Sequence, residues 1–337
     1  MQALVKGVVA TLVLVAASVP AHALKQSAHR SISRNACDDA GLPEEFCERV
    51  GVAAYNVDHY EWDTPAAHAQ MSPGQSVCDG ANATLARVRD LGSSVRHDLA
   101  LVAAAPSADR AEQVAVHLGR ALHTVQDNCA HHGIPNPEHA WDSLSDICAG
   151  TQISPDIRPG AASCARDETE LVMDAFVAAM IDAGVDDQDL ADVPYAFTHW
   201  PTHGEVCDFL ASASEWDGQD RQWNNEIMEP AVRDQLTGAF TAANPATIDP
   251  CDEGSSVLAA PAPSARVDVA NGPESCFSIK LYCLGKADGA DEPPPWEDGT
   301  DDEMQPAGCA AGGRSGAGAA ALMLALAGLV ATRRRRA

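Results

Sequence analysis

Val114 to His139, VAVHLGRALHTVQDNCAHHGIPNPEH, sets His123, Asp127 and His131 at intervals of four. Residues four apart share one face of a helix, so three potential metal ligands project from the same side. Val114, Leu118, Ala121, Leu122, Val125 and Cys129 recur on the opposite side at about 100° per residue, as an amphipathic helix requires. The stretch therefore reads as a helix from Ala108 to His131 with an apolar face for a core. Imidazole and carboxylate are ligand types that zinc accepts, and a helix presents them at little ordering cost. The same polar face is also compatible with nothing more than a solvated helix surface.

Further helical periodicity runs from His29 to Ala40, Gly80 to Ala104, Asp167 to Ala183 and around Pro230 to Ala243. Pro135, Pro137, Pro155, Pro159, Pro194 and Pro201 punctuate the loops between these segments. Alternating β-branched runs are sparse before Val257. The expectation is a mainly α fold, one helical domain over residues 24–250, long enough for a sizeable core. Residues 251–308 are Ala-Pro- and Asp-Glu-Pro-rich and read as an acidic stalk, within which Cys276 and Cys283 can close a small turn.

The two ends suggest export. Residues 1–23 carry Lys6, an apolar run from Val8 to Val19 and Ala21-His-Ala23, the pattern of a secretory signal that leaves Leu24 as the first residue. Ser315 to Thr332 is uncharged and closed by Arg333 to Arg336, and as a helix it would span roughly 27 Å, near the thickness of a bilayer core. With Gly308-Cys309 before it, residues 309–337 resemble the C-terminal sorting signal of myxobacterial surface proteins. That resemblance implies a sorting or processing protease as a partner and a transient membrane segment; the other reading is a permanent single-pass anchor. Either places the chain at the cell surface, in the outer membrane, or beyond it.

Trimming both ends leaves 16 basic residues against all 48 acidic ones, a net charge of about −32 with neutral histidine. Such a surface repels polyanions and disfavours nucleic acid as a partner without excluding it. Ten cysteines precede Cys309 with no C-x-x-C pair, which in an exported chain reads as a disulfide framework. Cys37 with Cys47 and Cys129 with Cys148 are local pairings that the spacing allows. A bridge from Cys129 would pin the loop that carries His132 and His139.

Gly119-Arg-Ala-Leu-His123-Thr-Val-Gln-Asp127 resembles the "LH-x-x-x-D … H" helix of the bacterial zinc-dependent phospholipases C. That superfamily also contains the single-strand-specific zinc nucleases, and the segment is similar to fungal incompatibility proteins of the Het-C type. The resemblance implies that His123 and Asp127 bind metal, with Asp127 bridging two ions. The phospholipases place their next histidine six residues on, where this chain has Gly133; the Het-C type places it four on, at His131. Either His131 or His132 can serve. His29-Arg-Ser-Ile-Ser-Arg-Asn-Ala36 resembles the family's first-helix "H-x-x-I-x-x-x-A", which makes His29 a ligand, and in the nucleases a free terminal amine five residues earlier, here that of Leu24, joins it. Asp58-His59-Tyr60-Glu61-Trp62-Asp63 resembles the "D-H-F-W-D" loop, which makes His59 a ligand and Asp58 a ligand or general base.

The family's later pair, H-x-x-x-E or H-x-x-x-D, is missing after Asp127. His139 with Asp142, or His199 and His203 with Glu205, are the nearest substitutes. Pro201 keeps the latter two histidines off one regular helical face. His117 lies well round the helix and reads as structural, Glu44, Glu45 and Glu48 have no motif to prefer them, and His68 and His97 have no identifiable partners in the sequence. The reading that follows is an exported Zn2+ enzyme with two or three ions, hydrolysing phospholipid or another phosphodiester. The alternatives are a noncatalytic, metal-stabilised surface binding protein and a zinc nuclease.

Overall fold

The architecture comes from a computed structural model, which describes residues 26–136, 138, 139, 142, 155–191, 193 and 222–251. Six helices account for most of them: α1 Gln26–Asp39, α2 Glu44–Tyr60, α3 Val77–Ala104, α4 Ala108–His131, α5 Ala161–Ala183 and α6 Asn225–Thr241. Short 3-10 turns lie at Pro65–His68, Pro155–Ile157 and Asp187–Leu190. Among the described residues there is no strand, and Met71 and Pro135 form an isolated parallel bridge. The fold is mainly α, and all described residues fall within one compact unit. None of its helices is long and apolar enough to cross a membrane. Leu24, Cys148, His199, His203, Glu205, residues 1–23, and the stalk and tail from residue 252 onward lie outside the described residues.

Helix ends follow local chemistry. Ser76 accepts from Asp79 N, Ser107 from Arg110 N and Asn224 from Glu226 N, satisfying donors that helix starts leave open. α5 ends at Gly184, whose φ of 74° is the left-handed cap that glycine reaches without a Cβ clash.

α4 is the central element and packs on all five other helices. Its apolar side, Val114, Leu118, Ala121, Leu122 and Val125, is buried as the 3.6-residue period requires. α3 packs on it and buries Leu85, Val88, Val95, Leu99 and Val102. Phe46, Phe176 and Phe240 join α2, α5 and α6 with ring centroids 6.0 and 6.2 Å apart. Each such fully buried side chain contributes roughly 1.5–3 kcal/mol.

Two expectations are corrected. The segment from Asp58 to Asp63 is not a loop throughout: Asp58, His59 and Tyr60 form the last turn of α2. α2 is buried nearly all round, at Val50, Val52, Ala53, Ala54 and Val57, which erases the one-sided period that marks a helix in sequence. Cys129 pairs with Cys164 at the start of α5 rather than with Cys148. Cys37–Cys47 forms between α1 and α2 as the spacing allows, and Cys78–Cys251 ties the start of α3 to the chain beyond α6.

The chain from His68 to Met71 runs beside the chain after α4. Gly133 N donates to Ala69 O at 3.0 Å, Met71 N to Ile134 O at 3.2 Å, and Asn136 N to Met71 O at 2.9 Å. This pairing places the Pro65–His68 turn against the polar end of α4.

Candidate metal centre

The polar face of α4 is not solvated. His123, Asp127 and His131 are buried together with Thr124, Gln126 and Asn128. Buried polar groups need partners, and the supporting ones have them. Thr124 Oγ1 donates to Ala67 O, Gln126 Nε2 donates to Ser33 Oγ and Thr169 Oγ1, and Trp223 Nε1 donates to Asn128 Oδ1.

The ring nitrogens of the histidines can be assigned from these partners. His123 Nδ1 donates to Ala54 O at 2.9 Å, because a carbonyl only accepts. Its Nε2 then turns a lone pair toward Asp127 Oδ2, 2.8 Å away. His68 donates from Nε2 to Glu61 O at 3.2 Å and faces Asp127 Oδ2 with Nδ1 at 3.1 Å. His29 donates from Nδ1 to Gln126 Oε1 at 2.8 Å and faces Asp127 Oδ1 with Nε2 at 3.1 Å. Asp58 Oδ1 is 3.8 Å from both His68 Nδ1 and His123 Nε2.

Imidazole nitrogens therefore converge on carboxylate oxygens, with His29 Nε2 3.1 Å from Asp127 Oδ1, and Asp58 Oδ2 is buried with no hydrogen-bond partner. Such an arrangement is stable only when protons or a cation lie between the groups. His29, Asp58 and His123 form one set of ligand atoms within 4.8 Å of one another, and His68, His123 and Asp127 form a second. Tetrahedral zinc, with bonds of about 2.0–2.2 Å, holds its ligand atoms roughly 3.3 Å apart, and the His68, His123 and Asp127 atoms, 2.8 to 3.1 Å apart, come near that span, while Asp58 Oδ1 stands further off at 3.8 Å.

A separate group lies one turn further along. His131 Nδ1 donates to His68 O at 2.7 Å, so Nε2 faces Asp156 Oδ1 at 2.9 Å. His139 Nε2 approaches the same oxygen at 3.1 Å. His131, His139 and Asp156 make a third set of atoms with metal-ligand spacing.

Electrostatics follow the same grouping. Burial alone would push the Asp127 carboxyl up, but His123, His131 and His29 outweigh it and hold the group well below the ordinary carboxylate range. Burial pulls His29 down, yet Asp127 and Asp58 raise it to about 9, while burial leaves His123 lowered. Burial opposes the charged forms of His139 and Asp156 as well, and their mutual attraction raises the imidazole and lowers the carboxyl. The metal-free clusters thus hold protons at the positions that a cation would take.

Several expected ligands are brought together and others are not. His29, Asp58, His123, Asp127, His131 and His139 all enter the three sets. His132 does not. It caps α4 in the left-handed conformation at φ 52°, donates from Nε2 to Cys129 O and accepts from Arg158 Nη1 on Nδ1. Burial and the neighbouring Arg158 push its pKa down to about 3. His59 is buried against the Tyr55 ring and belongs to none of the sets. His117 is paired with Asp98 at 2.7 Å, the structural role expected of it. Gly133, at the position of the phospholipase histidine, has φ 73°, and a Cβ there would overlap the Trp223 ring. A histidine cannot stand there.

Two members were missed in the sequence. His68 ends a 3-10 turn, and Asp156 lies in another, so neither belongs to a periodic pattern. The available signals were weak: His68 follows the Asp58–Asp63 motif closely, and Asp156 follows Ser154-Pro155. His139 Nε2 lies 3.1 Å from Asp156 Oδ1.

Comparison with protein-family models, with curated proteins and with solved structures found no match. What the chain itself defines is a mainly α-helical protein with buried His/Asp clusters able to hold metal ions.

Proposed function

We propose that this chain is an exported, zinc-dependent phosphodiesterase of phospholipase C type that hydrolyses phospholipid headgroup esters. The observation that carries the reading is Asp127, a buried carboxylate on whose two oxygens imidazole nitrogens of His29, His123 and His68 converge at 2.8 to 3.1 Å. In this reading His29, Asp58, His68, His123 and Asp127 would hold one or two Zn2+ ions, and His131, His139 and Asp156 would hold another. Bound zinc supplies Lewis acidity toward a phosphoryl oxygen and lowers the pKa of water.

The chain's own residues do the positioning. The carbonyls of Ala54, Glu61 and His68 fix the tautomers of His123, His68 and His131, so that the free nitrogens aim inward. Asp58 keeps one oxygen, Oδ2, clear of any donor, and in this reading it accepts a proton from the attacking water. The acidic surface favours a zwitterionic lipid over a polyanion.

The test is metal analysis of the unreduced protein, paired with hydrolysis of phosphatidylcholine vesicles and of single-stranded DNA in low salt. Two or three zinc ions per chain, faster lipid cleavage, and loss of both metal and activity in His123→Ala and Asp127→Ala are expected. Zero zinc removes the chemical basis of the proposal. DNA degradation with lipid untouched replaces it with a nuclease.

A further inference from the structure

The clusters are held by different means. His29, Asp58, His123 and Asp127 stand on α1, α2 and α4, which pack on one another, and His68 stands on the Pro65–His68 turn, which is held by its bond to Glu61 O and by the backbone bonds of Ala69 and Met71 to the chain after α4. The last cluster instead takes His131 from the end of α4 and Asp156 from the Pro155–Ile157 turn, which precedes α5. The start of α5 is seated on α4 by a small apolar cluster set apart from the main core, made of Ile32, Cys129, Ala130, Ala161 and Ala165. Apart from Ile32 these are alanine and cysteine, so the apolar area that fixes Asp156 opposite His131 is small beside that of the Phe- and Leu-rich core. The Cys129–Cys164 bond runs through this cluster. Cys129 lies midway between Asp127 and His131, and Cys164 lies eight residues after Asp156.

We propose that the Cys129–Cys164 disulfide is the assembly lock of the His131/His139/Asp156 cluster, so that the chain takes up an ion there only after this bond has formed. This inference rests on the reading of the clusters as metal sites and adds a condition to one of them. Without the bond, the first turns of α5 are joined to α4 by a few small side chains and by the Arg158–His132 and Gln126–Thr169 hydrogen bonds. With it, the backbone that delivers Asp156 is fixed covalently beside His131. The two thiols react with a donor disulfide: the new S–S bond forms, the donor S–S bond breaks, and the donor leaves as two thiols carrying both protons and the electron pair.

Glu229 guards the product. Its carboxylate lies within 4.8 Å of both sulfurs, where negative charge disfavours a thiolate and repels an incoming one. The same charge slows closing as well as reopening, so closure depends on the donor disulfides of an oxidising compartment, and the same chain in a reducing cytosol lacks this ion.

The experiment counts cobalt(II) or zinc bound by the full chain after equilibrium dialysis. Cys129→Ser/Cys164→Ser should bind one ion fewer than the oxidised wild type, or bind its last ion at least about tenfold more weakly. Cys78→Ser/Cys251→Ser, which breaks the bond between the start of α3 and the chain beyond α6, should match wild type. Asp156→Asn, with the disulfide intact, should lose the same ion, and adding it to the cysteine pair should subtract nothing more. If the serine pair lowers helix content, Cys129→Val/Cys164→Ala refills the space with apolar atoms and gives the same readout. Cysteine variants that bind the full wild-type complement at unchanged affinity overturn the lock and leave the metal sites standing. Oxidised wild type that binds no ion overturns the metal reading itself.

Discussion

Nδ1 of His68 stands 3.1 Å from Oδ2 of Asp127, across 59 residues of sequence. The imidazole is oriented from its far side, where Nε2 donates to Glu61 O, and Glu61 is itself held by Arg87 and Arg120. A ligand position fixed this firmly predicts that His68→Ala will lose one zinc ion, or weaken it by more than the roughly 10–100-fold that follows loss of an outer partner. His97→Ala, on the exposed side of α3, should leave the count unchanged. Elemental analysis of both variants decides the matter, and an equal count would remove His68 from the ligand set.

The contrast between His68 and His123 shows what a single sequence reveals. His123, Asp127 and His131 share a helix, and their interval of four states in advance that they share a face. The boundaries of α4 follow from the same periodicity and from Ser107 as its cap. α2 obeys no such rule, because burial on several sides leaves no polar stripe to set against an apolar one. His68 and Asp156 reach the site through 3-10 turns whose positions depend on tertiary pairing, such as Met71 with Ile134 and Asn136. Periodicity carries no information about contacts of that kind. His132 was open to two readings for a related reason: only the left-handed cap after His131 decides which of two adjacent imidazoles turns inward.

Gly133 carries both a conformational and a steric demand. Its φ of 73° is unfavourable for a side chain, and a Cβ would overlap Trp223, which in turn donates from its own backbone N to His132 O at 2.7 Å. Gly133→Ala should lower stability by about 2 kcal/mol or more, from strain and overpacking together. Gly74→Ala has a similar φ of 71° but open space around it, so it should cost distinctly less. Urea midpoints of the two metal-free variants test the difference, and equal losses would mean that the Trp223 contact relaxes freely.

Glu61 makes a directional prediction about acid. Burial alone would raise its pKa, but hydrogen bonds and charge from Arg120 and Arg87 bring it down to about 2 from the ordinary 4.5. A carboxyl with a lowered folded pKa stabilises fully above its unfolded value and loses that contribution as pH falls toward the folded one. Glu61→Gln should thus be less stable than wild type at pH 7, and the gap should shrink between about pH 4.5 and pH 2. Chelator-treated protein is required, so that release of metal does not set the slope. A gap constant across that window would show that the Arg87 and Arg120 pairing contributes nothing through charge.

His29 offers the most direct test of where the functional chain begins. It sits in the first turns of α1, with Nε2 facing Asp127 Oδ1 and Nδ1 committed to Gln126, so an ion shared by His29 and Asp127 still needs further ligands. Signal cleavage after Ala23 would place a free amine on Leu24, five residues before His29 and close to the start of α1 at Gln26. An amine is a zinc donor and an amide nitrogen a poor one. A short extension ahead of Leu24, removable by a specific protease, should leave helix content intact while lowering the zinc count by one and abolishing phosphodiesterase activity, and both should return when the extension is cut away. If the uncut protein binds the full complement and turns over at the same rate, the terminal amine has no part in the site and His29 acts with side chains alone.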